Sequence, residues 1–247
     1  EDLELGTVPA VTALPVVGRR AIRPGMVPEG LTPDSRTPSA LALEVPAVAS
    51  ADVKVVRYGE ALAVEVGLSG TALGNFLHRA FEVLGARPDL VGRLPQITGV
   101  VVSAPDLERI ATAVARFETW VTEHCRPTAV QREWPLLHLD ELGTVVSGMA
   151  DLIVRTAQGA WIVDHKSDAV EDPVQGFMKY EGQLRAYRQA VEAAGTPVAG
   201  VAVHWIRRGE VALRRFDPST TADGSRCRDA AARPQGHTDF STLTEQG

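Results

Sequence analysis

Asp164 and Lys166 close the apolar run Ile162-Val163-Asp164-His165-Lys166. A carboxylate and an amine two residues apart lie on one face of a strand, so the pair can address a single site. Gly148-Met149-Ala150-Asp151 sets another acid in an apolar strand, with a Gln158-Gly159 turn before the next strand. Antiparallel pairing across that turn brings Asp151 beside Asp164. Two carboxylates forced together in apolar surroundings repel each other, and a hard cation such as Mg²⁺, with Mn²⁺ as an alternative, relieves the repulsion. A cation of this kind polarises a phosphodiester and lowers the pKa of its bound water, while a neighbouring lysine orients that water or stabilises the developing phosphorane charge.

The choice of lysine at 166 is itself a signal. Of 25 basic residues only Lys54, Lys166 and Lys179 are lysines. A compact ammonium suits proton chemistry in a desolvated site better than a guanidinium, which stays charged.

These residues need a framework. Short β-branched and apolar runs over 129–139, 144–155 and 160–166, separated by Gly143 and Gln158-Gly159, predict a three-stranded meander. Upstream, Leu73, Leu77, Phe81 and Leu84 recur at helical spacing, and Ser69 stands at the N-cap position of a helix over 70–84. A second helix is predicted over 104–124, with Pro105 in its first turn and Leu107, Ile110, Val114, Phe117 and Val121 as a stripe. Phe177, Tyr180, Leu184, Tyr187 and Val191 predict one helix over 174–194, ending near Gly195 and Pro197. Strands follow at 198–206 and 211–216. The stripe reading makes Tyr180 and Leu184 core residues. Gln183 fits a core poorly, because a buried amide needs partners.

Residues 1–50 are proline-rich and aperiodic, an extended lead-in. Residues 51–216 form the expected domain, and 217–247, polar and small, an expected flexible tail. The 247 residues, 45% hydrophobic and 23% charged, describe a soluble globular chain long enough for a real core. A net charge of −6 is unlike that of an independent nucleic-acid binder, so contact with phosphates must be local or supplied by a partner. Seven arginines against four acids over 201–233 give either a local DNA-facing patch or a solvated surface. Cys125 and Cys227 are far apart, which argues against a disulfide framework or a cysteine metal site. With no signal-type run and no membrane-length apolar segment, a cytoplasmic location without membrane contact is expected. The start at Glu1 fits an excised C-terminal region.

GxxxH (Gly74 to His78), GxxD (Gly148 to Asp151), DxK (Asp164 to Lys166) and YxxQLxxY (Tyr180 to Tyr187) occur in that order. Over residues 70–190 this series resembles the PD-(D/E)xK superfamily nuclease domain of the RecB/AddA type, the C-terminal nuclease of UvrD-family recombination helicases. Each motif is weak alone and the combination is strong. The resemblance implies an α/β, restriction-endonuclease-like core with a mixed central β-sheet flanked by helices. It implies a Mg²⁺-dependent deoxyribonuclease, an exonuclease acting in double-strand-break end processing and recombinational repair, with DNA as substrate and a helicase motor in cis or in trans. It assigns the cation to His78, Asp151, Asp164 and the main-chain carbonyl of His165, catalysis to Asp151, Asp164 and Lys166, and DNA contact to Gln183 and Tyr187. Glu133 matches an acidic position that holds a second metal or supports the first. His165 and Ser167 replace the usual Tyr and Thr around the lysine, and Asn75 a common Thr. His124, His138, His204 and His237 have no ligand spacing and read as structural or solvated. Two other function classes stay open: a non-cleaving DNA-binding scaffold, and a phosphodiesterase acting on RNA or small nucleotides.

Overall fold

A computed structural model describes residues 35–38, 52–139 and 145–216. The predicted tail lies outside them, as does most of the lead-in. The meander forms as expected: β3 (Ala129–Leu139), β4 (Val145–Thr156) and β5 (Gly159–Lys166) pair in antiparallel fashion. β6 (Val198–Trp205) then lies parallel to β5, and β7 (Glu210–Arg215) turns back on β6. Two strands went unforeseen. β2 (Lys54–Arg57) closes the far edge against β7, and β1 (Ser35–Arg36), inside the presumed lead-in, runs parallel to β4. The seven-stranded mixed sheet has the order β1-β4-β5-β6-β7-β2, with β3 also on β4. β5 and β6 are buried along almost their whole length because helices cover both faces.

Helices α1 (Gly70–Ala86) and α3 (Ala104–Cys125) match the two predicted amphipathic segments, joined by a 3₁₀ turn (Pro88–Arg93) and the unpredicted short α2 (Leu94–Thr98). Ser69 occupies the N-cap of α1 without a side-chain cap bond, whereas Ser103 caps α3 by accepting from Asp106 N–H. Phe76, Leu77, Phe81, Ile110 and Phe117 pack with Leu152, Val154 and Val163 on one face of the sheet. Phe177, Leu184, Tyr187 and Val191 pack with Ile153, Ile162, Val203 and Trp205 on the other. The helices on that face correct the single predicted span: α4 (Pro173–Lys179) and α5 (Glu181–Ala193) are separated at Tyr180. Tyr180 N–H turns to the Phe177 carbonyl, as in a tightened last turn, and Asp172 caps the start of α4. Among the described residues no helix is long and apolar enough to cross a membrane.

Candidate functional site

The sheet divides at one place. β4 and β5 stay paired up to Leu152 opposite Val163, and the next rung, Asp151 and Asp164, carries no ladder pairing. Instead Asp151 Oδ2 accepts the main-chain N–H of His165 at 2.6 Å. On the other side of β4 the pairing likewise skips Glu133, between Arg132 opposite Leu152 and Trp134 opposite Ala150, and Glu133 takes a left-handed backbone (φ 48°). Glu133, Asp151 and Asp164 therefore fall on one rung of three adjacent strands, where the ladder is interrupted.

Asp164 is 2% exposed. Its Oδ1 accepts from Gln183 Nε2 at 3.0 Å, and its Oδ2 is ion-paired with Lys166 Nζ at 2.7 Å. Gln183 Nε2 also donates to the Tyr187 hydroxyl at 2.9 Å, and that hydroxyl donates to the Met149 carbonyl at 2.8 Å. Gln183 and Tyr187 are themselves buried, so in this arrangement they hold Asp164 rather than present their polar atoms outward. Gln183 Oε1 is buried without a partner.

Burial and then the Asp164 charge push the Asp151 carboxyl well above the ordinary carboxylate range, and Glu133 adds to the rise. Burial also raises Asp164, partly offset by Lys166. Glu133 is raised by burial and by Glu82. The site thus gathers acids whose simultaneous ionisation is disfavoured, which is the electrostatic condition that a divalent cation satisfies.

His78 completes the cluster from α1, its Nδ1 3.9 Å from Asp151 Oδ2. Burial, then Lys166, lower its pKa to about 4, so at neutral pH it is an uncharged imidazole, the form that ligates metals. Its ring also meets the His165 ring edge-on, with centroids 5.9 Å apart. Gly74, one turn before His78, lets α1 come close to the end of β5: a Cβ there would sit 2.8 Å from Ser167 Oγ. The glycine of the GxxxH spacing thus permits the approach that brings its histidine beside Asp151.

Tyr180, read from periodicity as core, is only half-buried. Its ring lies under the Lys166 ammonium at 4.5 Å, and its hydroxyl donates to Asp168. The sequence signal was present in its position three residues before Gln183, at the break between α4 and α5. Of the arginine-rich segment, Arg208 is paired with Glu210 and Arg214 with Glu181, both largely internal carboxylates. Arg226, Arg228 and Arg233 lie outside the described residues.

His78, Asp151, Asp164, His165, Lys166, Gln183 and Tyr187 thus converge at the fork of β4 and β5. Among the described residues, no three His, Cys, Asp or Glu side chains already converge as a closed cation cage. The carboxylates are engaged instead by the His165 amide, Gln183 and Lys166. In residue type, the two clustered acids Asp151 and Asp164 and the neutral His78 imidazole form a donor set that suits a hard divalent cation.

Residues 55–246 match the family model described as the PD-(D/E)XK nuclease superfamily. Over 92 residues, 34% of this chain, the sequence is 34% identical to an ATP-dependent helicase/nuclease subunit from Anoxybacillus flavithermus, and it spans 8% of that protein's length. The crystal structure of SSO0001 aligns at a TM-score of 0.30 and 15% identity, covering 59% of this chain and 68% of that one.

Proposed function

The chain belongs to the PD-(D/E)XK nuclease superfamily, and we propose that it is a divalent-metal-dependent DNA nuclease, an exonuclease that trims strand ends in recombinational repair as part of a helicase-nuclease. The observation that carries the chemistry is the fork itself, where Asp151 lies next to Asp164 and a lysine stands 2.7 Å from a buried carboxylate oxygen. The helicase association rests on the similarity to the Anoxybacillus helicase/nuclease protein, which is far longer than this chain.

When bound, Mg²⁺ or Mn²⁺ supplies Lewis-acid polarisation of the phosphate and acidification of the attacking water. Asp151, Asp164, the neutral His78 ring and the His165 carbonyl are the groups that would hold it. Lys166 orients the attacking water and stabilises the charge that develops on the phosphorus oxygens. The Tyr180 ring beneath it restrains the ammonium. Gln183 and Tyr187 keep Asp164 in one rotamer, so the carboxylate needs little reorganisation when the substrate arrives.

The test is degradation of end-labelled single- and double-stranded DNA, alongside RNA and a small nucleotide diester, with Mg²⁺, Mn²⁺ or EDTA. Asp164→Ala and Lys166→Ala should each lose about 10²–10³-fold of the metal-dependent rate on DNA, the usual range for removing one electrostatic stabiliser. Equal rates in the wild type and both variants would leave a DNA-binding scaffold, and faster turnover of RNA or the diester would replace the substrate assignment.

A further inference from the structure

Behind the fork, on the face covered by α1 and α3, lie three polar aromatic side chains whose rings have no part in the chemistry above. His165 and His204 are register partners on the parallel strands β5 and β6, and their Nδ1 atoms are 2.9 Å apart. His204 Nε2 is 2.7 Å from the Tyr58 hydroxyl, which arrives from the end of β2. Both imidazoles are buried, and the His204 ring is stacked on Phe117 with centroids 4.0 Å apart and planes 11° from parallel. Phe81 closes the other contact at 5.0 Å.

Apolar rings in these places would carry a smaller desolvation cost. What a fully bonded polar chain adds is a single permitted orientation. A neutral imidazole has one N–H and one acceptor nitrogen. The protons can run from Tyr58 to His165 or from His165 to Tyr58, and in either direction the tautomer of one ring dictates that of the other. His165 is the hub of the site: its main-chain N–H binds Asp151, its ring meets the His78 ring edge-on at 5.9 Å, and Asp164 and Lys166 flank it. Fixing the ring on one face of β5 fixes the main-chain groups of the same residue.

We propose that Tyr58 and His204 are positioning residues of the site: the hydrogen-bonded series Tyr58–His204–His165 anchors the His165 backbone so that Asp151 and His78 stay in reach of one cation. The inference rests on the nuclease reading above. Neither residue touches the substrate or the cation.

Tyr58→Phe in the full chain removes one hydroxyl and keeps the ring that packs edge-on against Phe117 at 5.6 Å. Two readouts apply: the kcat and KM of DNA cleavage, and the Mn²⁺ affinity of the DNA-free protein by titration calorimetry. The expected result is a kcat lower by about 10-fold with KM unchanged, and Mn²⁺ binding weaker by about 10-fold, as for other outer partners of metal ligands. His204→Phe should cost about the same, and the double variant no more than either alone, because the series acts as one unit. Leu94→Ala, at a buried residue of α2 outside the hydrogen-bonded series, should lower Tm while leaving both readouts unchanged. Wild-type kcat and Mn²⁺ affinity in Tyr58→Phe would overturn the proposal, as would losses in Leu94→Ala that follow its Tm in the same proportion. If the wild type binds Mn²⁺ but cleaves no DNA, the nuclease reading fails and the calorimetric comparison still decides the positioning role. A wild-type chain that binds no Mn²⁺ overturns the positioning role itself.

Discussion

In the proposed nuclease, Asp151 is the residue where function and stability oppose each other. Its carboxyl is raised well above the ordinary range by burial and by Asp164. An acid whose pKa is raised on folding holds its proton in the native state after the unfolded chain has released it, so stability falls as pH climbs from about 4 through the raised value. Above that interval the metal-free fold carries the whole cost of two ionised neighbours. Asp151→Asn keeps an oxygen for the His165 N–H and removes the repulsion. In EDTA at pH 8 it should raise Tm by about 2–4 °C, the change that about 1 kcal/mol makes in a domain of this size. The advantage should vanish near pH 4, and cleavage should be lost. A Tm at or below wild type at pH 8 would mean that the two carboxylates do not strain the metal-free protein. Trading stability for a charged site is common in enzymes.

At the scale of elements, the site depends on how closely α1 approaches the end of β5. Gly74→Leu places a side chain where even a Cβ meets Ser167 Oγ at 2.8 Å, so α1 must shift and carry His78 away from Asp151. Calorimetry should show Mn²⁺ affinity falling about 10-fold or more, while Gly74→Ala, opposed only by a rotatable hydroxyl, should remain near wild type. Equal Mn²⁺ affinity in Gly74→Leu would show that α1 does not set the position of His78. The meander and its acids were legible because their signals are local: alternation, a glycine turn, and a register that follows from the turn. The split at Tyr180 was not, because the apolar stripe continues through it. β2 was missed because its four residues are mostly exposed and show no alternation. His204 read as structural or solvated from sequence, since its partner stands 39 residues away on a parallel strand, a pairing that no local pattern reports.

Considered whole, the molecule is a poor electrostatic match for DNA. The formal charge is −6, and arginines that a sequence count offers to phosphates, Arg208 and Arg214, are committed to Glu210 and Glu181. Binding of single-stranded DNA by the isolated chain, read by fluorescence anisotropy in Ca²⁺ near 150 mM salt, should have a Kd no tighter than about 1 µM, the non-specific range. A much tighter Kd would locate a basic surface outside the described residues and remove the need for a partner to deliver the strand.

The two residues of β1 have a practical consequence. They lie along β4 at Val145 and Val146, upstream of the boundary at residue 51 that composition suggests. An expression clone begun at 51 would strip that cover and leave a bare rim of unpaired amides and carbonyls on a valine-rich strand, the kind of edge along which chains self-associate. Light scattering should find the shortened protein polydisperse and a clone begun before residue 35 monodisperse; two equally monodisperse samples would show that β1 does not guard the edge.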